Sequence, residues 1–278
     1  MTPTVAEALW RGVGVALLTL FEDGGDDPPR VDVAATAEHA ARLVSFGVRG
    51  VLVAGTTGEA EALDDDERVE LIAAVRQACP GVPVMAGASG AWIGEAVARS
   101  AGAVKAGADA VLVAPPRRCL DPVGWYDGVA RASGGVPVVA YHFPGVAGGE
   151  VAVDDLARLP VAGLKDSSGD PERLLAALEN WAGSIYVGST VLVGYAGALG
   201  AAGAILAVAN AAPEECVAAW EGDWSAQRRL LAAHQAARAR FPLGLKQLVA
   251  DRFGTATLRR SLKDRHDHDV SVVNRPRS

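Results

Sequence analysis

Short apolar runs recur along this chain and alternate with longer segments whose apolar residues return every three to four positions. Eight of these runs are rich in β-branched residues, and they lie at residues 12–20, 50–59, 82–89, 110–116, 136–144, 161–168, 184–190 and 203–210. Continuous apolar runs of this kind are typical of parallel strands that are buried on both faces. The alanine-rich segments between most of them have the period of amphipathic helices.

Strands that alternate with helices eight times predict an α/β fold in which the strands close into a (β/α)8 barrel. The alternative is an open, doubly wound sheet, which would favour a glycine-rich turn after the first strand; the first run, GVGVALLTL, has none. After residue 213 the pattern becomes purely helical. We therefore predict one domain, with the barrel in residues 1–213, a C-terminal helical extension in 214–265 and a polar tail in 266–278.

Residues 181–213 carry no charged side chain, and such a stretch is long enough to cross a bilayer. Glycines recur through it, and in pieces it has the pattern of a strand, a short helix and a second strand. We expect these pieces to belong to the barrel, and we expect no membrane association.

Composition narrows the class of protein further. The net charge is −7 and the chain has no basic block, which argues against a nucleic-acid partner. The three cysteines (Cys79, Cys119 and Cys216) form no CxxC pair, and the first residues lack the pattern of a secretory signal, so we expect a cytoplasmic protein. The histidines show no HExxH spacing; only His266 and His268 in the tail lie close together, and we expect no metal site.

Lys165 is the first candidate for chemistry, because active sites of such barrels lie at the C-terminal ends of the strands. The chain has only four lysines and otherwise uses arginine, and Lys165 ends the apolar run VAGL. A desolvated lysine can lose its proton and attack a carbonyl, which an arginine cannot do. The alternative is a salt bridge to Asp166, although neighbours on a strand point to opposite faces.

Two further strand ends carry polar groups. Tyr141 ends the strand before that of Lys165, and its phenol could move protons as a general acid and base; the alternative is a tyrosine packed in the barrel. Thr56 and Thr57 lie in a glycine-bounded turn, where hydroxyl and N–H groups together can hold a carboxylate. Such turns are common, so the motif alone does not identify a ligand.

With GTTGExxxLxxxER (55–68), YHFP (141–144) and GLKDSSGD (163–170), the chain resembles the dihydrodipicolinate synthase / N-acetylneuraminate lyase family of pyruvate-dependent class I aldolases. The resemblance runs from about Trp10 to about Lys263. It implies a (β/α)8 barrel, a small 2-oxo acid as substrate, and a homotetramer or homodimer.

The resemblance also implies roles for single residues. Lys165 would form an imine with the keto carbon of pyruvate, Tyr141 would move protons, and Thr56 and Thr57 would hold the carboxylate. Matching positions that line the pocket floor are Gly188 and Ile205. No metal or organic cofactor would be needed, because the lysine imine is itself the electron sink.

Two departures concern the second substrate. Val146 stands where the synthase subgroup usually carries an arginine, and Pro116-Arg117-Arg118 follows Pro115 where many members have two tyrosines. These departures favour an aldolase or dehydratase for a 2-keto-3-deoxy sugar acid or a 4-hydroxy-2-oxo acid. We hypothesise that Arg117 or Arg118 supplies the missing anion contact. The alternatives are 4-hydroxy-tetrahydrodipicolinate synthase proper and, in another class, a non-catalytic protein that binds a 2-oxo acid.

Overall fold

A computed structural model describes residues 7–261 of the 278-residue chain. The strands are β1 (Gly12–Ala16), β2 (Phe21–Glu22), β3 (Arg30–Val31), β4 (Gly50–Val53), β5 (Val84–Gly87), β6 (Ala110–Val113), β7 (Val138–His142), β8 (Gly163–Asp166), β9 (Ser184–Val187) and β10 (Gly203–Leu206). The helices are α1 (Val33–Ser45), α2 (Asp65–Ala78), α3 (Ile93–Lys105), α4 (Pro122–Ala132), α5 (Pro171–Asn180), α6 (Val193–Ala198), α7 (Pro213–Trp220), α8 (Trp224–Ala239) and α9 (Leu243–Phe253).

Eight parallel strands close into a barrel in the order β1-β10-β9-β8-β7-β6-β5-β4. Each of them lies within one of the eight apolar runs, so the predicted (β/α)8 barrel with additional C-terminal helices is confirmed. The register between β7 and β8 places Tyr141 opposite Lys165. Two candidate residues from separate motifs are therefore neighbours at the same edge of the barrel.

The charge-free residues 181–213 contribute β9, α6 and β10, as their glycine-divided pattern predicts. Within residues 7–261, no helix is long and apolar enough to cross a membrane. Two features were not foreseen: β2 and β3 form a small antiparallel hairpin after the first barrel strand, and the connection from β7 to β8 contains only a 3-10 helix, Val153–Arg158.

Aspartates begin five of the helices. The side chains of Asp32, Asp64, Asp121, Asp170 and Asp223 each accept a main-chain N–H of the following first turn. These N–H groups have no partner within the helix, so an acceptor there fixes where the helix starts. The run of acidic residues 64–67 after β4 is thus the start of α2, where negative charge is favoured by the helix dipole.

The end of the barrel opposite the strand C-termini is closed by Trp10. Its ring packs 4.9 Å from that of Tyr186. A Cβ atom at Gly14 or Gly50 would lie 2.6 or 2.4 Å from the Trp10 ring, so glycine is needed where the ring crosses β1 and β4. With this end filled, the space for a ligand is at the other end.

The last three helices continue from the barrel without a break. The first of them, α7, packs on α6 and β1, and α8 packs on both α7 and α9. The boundary between residues 213 and 214 stays a prediction, and the predicted tail 266–278 lies outside the described residues.

Candidate active site

Lys165 lies on β8 inside the barrel and is 4 % exposed. Its Nζ lies 4.6 Å from the centre of the Tyr141 ring. Burial lowers the pKa of Lys165 from its ordinary value of 10.5 to about 7, because water no longer stabilises the ammonium. A large fraction of this amine is therefore neutral and nucleophilic near neutral pH.

Asp166 points away from Lys165 and has other partners. Its Oδ2 accepts a hydrogen bond from Arg173 Nε at 2.6 Å, and its Oδ1 accepts one from the Ser168 N–H at 2.8 Å. The alternation of side chains along β8 thus separates the two residues. The salt bridge between Lys165 and Asp166, the alternative raised from the sequence, is not the arrangement found.

Tyr141 connects the lysine to the turn after β4. Its side chain is buried, and its hydroxyl oxygen lies 3.4 Å from Thr56 Oγ1, with either group able to donate. The two residues are 85 positions apart in the sequence. The structure therefore brings together Lys165, Tyr141 and Thr56, three of the residues singled out from the sequence.

The turn after β4 has an unusual backbone. Thr56–Gly58 form a 3-10 turn, Thr57 is buried, and Ala54 and Glu59 on either side have φ values of 52° and 55°. Among the described residues these are the two non-glycine residues with positive φ. Such conformations persist only where their surroundings hold them, and they cluster at functional sites.

The other two residues carried over from the resemblance lie in the barrel wall. Gly188 follows β9, and a Cβ atom there would lie 1.9 Å from Ser167 Oγ. Ile205 on β10 is 1 % exposed and belongs to the cluster of side chains that fills the barrel interior. Their roles as pocket-floor residues stay predictions.

A cavity of 110 Å³ opens at this end of the barrel. Its lining includes Thr56 and Tyr141, and it also includes side chains that sequence reasoning missed, namely Ser89, Arg68, Arg99, Phe241, Pro242 and Ser261. Arg68 ends the GTTGExxxLxxxER motif, and that position was the available signal for it.

Arg68 is largely a structural cation. Its guanidinium donates to the carbonyl oxygen of Ala60 and, at 3.4 Å, to that of Gly87. Burial, and then the positive charge of Arg99, lower the pKa of Arg68 to about 10. Arg68 thus connects the turn after β4 to the end of β5.

The two arginines proposed for the anion contact lie on the loop after β6. Arg117 Nη2 donates to the carbonyl oxygen of Gly145 at 3.1 Å, which connects that loop to the loop after β7. Arg117 and Arg118 are both exposed, and Val146 is half-buried. Their part in binding an anion stays a prediction.

Within residues 7–261, no group of three or more His, Cys, Asp or Glu side chains could hold a metal ion. His266 and His268 lie outside this range.

The fold and the site define a (β/α)8-barrel enzyme whose buried amine is available as a nucleophile. The sequence profile of the dihydrodipicolinate synthetase family matches residues 9–236, and the chain belongs to this family. It is a lyase of the Schiff-base-forming, class I aldolase type.

Curated relatives and solved structures agree with this membership. The chain is 34% identical to the 4-hydroxy-tetrahydrodipicolinate synthase of Natronomonas pharaonis over 80% of this chain and 79% of that one. It is 32% identical to an uncharacterized DapA-like lyase of Halobacterium salinarum, over 95% and 91% of the two chains.

Two solved structures are similar in fold as well as in sequence. The KD(P)GA from T. tenax has a TM-score of 0.79 and 27% identity, over 88% of this chain and 89% of that one. The dihydrodipicolinate synthase from Aquifex aeolicus has a TM-score of 0.75 and 28% identity, over 85% and 86%.

Proposed function

We propose that Lys165 is the residue that forms the imine, and that its substrate is pyruvate or a larger 2-oxo acid. The observation that carries the proposal is the buried amine of Lys165, with its pKa lowered to about 7, beside the Tyr141 ring. The neutral amine attacks the keto carbon and gives a carbinolamine. Loss of the hydroxyl group as water then leaves a C=N bond to Lys165.

Tyr141 is the proton carrier in this proposal. Its phenol donates a proton to the oxygen that leaves as water, and the phenolate later takes a proton from the hydroxyl of the substrate. The contact with Thr56 Oγ1 orients the Tyr141 hydroxyl. The hydroxyls and N–H groups of Thr56 and Thr57 hold the substrate carboxylate.

The iminium accepts the electrons of the bond that breaks. When the 4-hydroxyl of a bound 4-hydroxy-2-oxo acid loses its proton, the C3–C4 bond breaks, an aldehyde leaves, and the electron pair forms an enamine. Protonation at C3 and hydrolysis then release pyruvate and free Lys165. We propose that no metal or organic cofactor takes part, because the imine itself accepts the electrons.

For the second substrate we propose an aldolase or dehydratase reaction on a 2-keto-3-deoxy sugar acid or 4-hydroxy-2-oxo acid. Val146 provides no cation on the loop after β7, and the Arg117 guanidinium is bonded to the Gly145 carbonyl there. The similarity to KD(P)GA supports this choice. The relative from N. pharaonis supports the alternative, 4-hydroxy-tetrahydrodipicolinate synthase.

Borohydride reduction in the presence of pyruvate, followed by peptide mass spectrometry, tests the imine. We expect a pyruvyl adduct on Lys165, and no adduct on any lysine with a panel of 2-oxo acids would refute the proposal. A cleavage screen of 4-hydroxy-2-oxo acids, read as pyruvate release, then identifies the substrate. Stabilisation by 2-oxo acids without turnover would instead indicate a binding protein.

We also propose a cytoplasmic homotetramer or homodimer. The described cysteines are free thiols, which is common in reducing compartments. Leu120, on the loop after β6, is 99 % exposed, and a second copy of the chain would cover such a side chain. Light scattering coupled to size exclusion measures the assembly, and a monomer at micromolar concentration would refute it.

A further inference from the structure

A buried carboxylate ends the turn that carries Thr56 and Thr57. Glu59 is 5 % exposed, and its Oε1 lies 2.6 Å from Nζ of Lys246 on α9, whose side chain is fully buried. Its Oε2 accepts the main-chain N–H groups of Arg260 at 3.1 Å and Ser261 at 2.8 Å. The Glu59 carboxylate thus binds one cation and two main-chain donors that all come from the C-terminal part of the chain.

The segment 258–261, here called the C-terminal strap, is held at several points. Lys246 Nζ donates to the carbonyl oxygen of Leu258 at 2.6 Å and lies 4.4 Å from the centre of the Phe21 ring. The Arg260 guanidinium lies 5.2 Å from the centre of the same ring and donates to Glu67 Oε2 at 2.8 Å. The strap and α9 therefore supply the partners of the Glu59 carboxylate, and the Phe21 ring on β2 packs against the two cations beside it.

The backbone of Glu59 needs this support. Its φ of 55° is unfavourable for a residue with a side chain, and together with Ala54 it brackets Thr56 and Thr57. The contacts of the Glu59 side chain add to the main-chain hydrogen bonds of the turn, in which the Glu59 N–H donates to Thr56 O at 3.3 Å and Glu59 O accepts from the Ala62 N–H at 2.7 Å. Ser261 of the strap also lines the same cavity as Thr56.

We infer that Glu59 is a positioning residue for substrate binding: paired with Lys246 and bonded to the strap, it fixes the turn so that Thr56 and Thr57 meet the carboxylate of the 2-oxo acid. The inference rests on the proposed function. It extends that function to a buried ion pair that joins the substrate turn to the C-terminal part of the chain.

Loss of an ion pair that only supports folding and loss of one that positions the turn have different effects on stability and on pyruvate binding. Loss of a purely structural pair lowers the midpoint of unfolding and leaves the folded fraction binding pyruvate as before. Loss of a positioning pair raises the pyruvate concentration needed for half-maximal imine formation. Since the amine of Lys165 lies on β8, away from the turn, the maximal amount of adduct at saturating pyruvate is unchanged.

The experiment measures borohydride trapping against pyruvate concentration for the full-length wild type, Glu59→Gln, Lys246→Met and the double variant. We expect each single variant to raise the half-saturating pyruvate concentration about tenfold, with the maximal adduct retained. The double variant should need no more pyruvate for half-saturation than the single variant with the larger effect, because the two groups act as one unit. Thermal unfolding and circular dichroism report whether each variant folds.

Asp109→Asn is the control for an ion pair far from the turn, although this pair is more exposed than that of Glu59, with side chains 35 % and 38 % exposed. Asp109 also combines a cation and a main-chain donor, since its Oδ2 accepts from Arg76 Nη1 at 3.0 Å and from the Val84 N–H at 2.8 Å. It lies between the starts of β5 and β6, at the opposite end of the barrel. We expect this variant to lose stability and to keep the wild-type dependence on pyruvate.

If Glu59→Gln and Lys246→Met do not fold, Arg260→Ala tests whether the strap positions the turn for pyruvate binding. It leaves the buried pair in place and removes side-chain contacts of the strap, so we expect a smaller rise in the same direction. Wild-type half-saturation in every folded variant overturns the inference alone, and so does an equal rise in Asp109→Asn. No adduct in the wild type overturns the proposed function and this inference together.

Discussion

Replacing Lys165 by methionine should stabilise the protein while abolishing its chemistry. The pKa of Lys165 is lowered from 10.5 to about 7 by burial, so below pH 7 the folded protein holds an ammonium that it solvates poorly. A shift of this size corresponds to roughly 5 kcal/mol, at about 1.36 kcal/mol for each pKa unit. Methionine has a similar length and removes that cost.

The direction in which the stability of the wild type changes with pH follows from the number of protons bound by the folded and unfolded states. Between pH 7 and 10.5 the unfolded chain binds a proton at Lys165 that the folded protein does not bind, so this group makes wild-type stability rise with pH. Below pH 7 both states are protonated and the full penalty applies. The advantage of Lys165→Met should therefore be roughly 5 kcal/mol at pH 6, about 3 kcal/mol at pH 8 and about 1 kcal/mol at pH 10.

Equilibrium unfolding in urea at these pH values measures the difference between variant and wild type. Lys105→Met is the control, because Lys105 ends α3 as an exposed side chain, and the same substitution there relieves no buried charge. A Lys165→Met variant that is less stable than the wild type at pH 6, or whose advantage does not shrink with pH, would refute the reasoning. It would mean that an unrecognised partner stabilises the ammonium.

Two further substitutions separate the parts of the site. Tyr141→Phe keeps the ring against Lys165 and removes the hydroxyl next to Thr56. We expect imine formation, measured by stopped-flow trapping, to slow about 100-fold while the unfolding midpoint stays nearly unchanged. A wild-type rate would exclude Tyr141 as the proton carrier. Asp166→Asn leaves Arg173, whose side chain is 13 % exposed, without its charged partner. We expect a loss of about 3 kcal/mol in urea unfolding with Lys165 still trapped by pyruvate, and loss of trapping in folded protein would show that Asp166 supports the amine.

The barrel was predictable because its strands are buried on both faces. Each strand then appears in the sequence as a continuous apolar run, and eight runs leave little choice of topology. The pairing of Lys165 with Tyr141 was predictable for the same reason, since consecutive parallel strands place their C-terminal ends side by side. The chemistry proposed for Lys165 follows from residue type, because a lysine, unlike an arginine, can lose its proton when it is buried.

The interactions around Glu59 could not be predicted in that way. Glu59 and Lys246 are separated by most of the chain, and nothing in the local pattern shows that a glutamate after a turn meets a lysine on α9. Periodicity identifies which face of a helix is buried, and it does not say which charged group is buried with it. The β2–β3 hairpin, with two residues in each strand, is too short to produce a pattern at all.

The residues proposed to form the imine lie on strands, whereas the residues proposed to meet the second substrate lie on loops. Lys165 and Tyr141 stand on paired strands, so their geometry is fixed by the closure of the barrel. Arg117 and Val146 stand on the loops after β6 and β7. These loops are joined by hydrogen bonds from Arg117 Nη2 to the Gly145 carbonyl oxygen and from the Gly149 N–H to the Pro115 carbonyl oxygen. Changes in these loops can alter the second substrate without moving the amine. Family membership therefore establishes a Schiff-base-forming lyase, whereas the substrate that these loops would select stays a proposal.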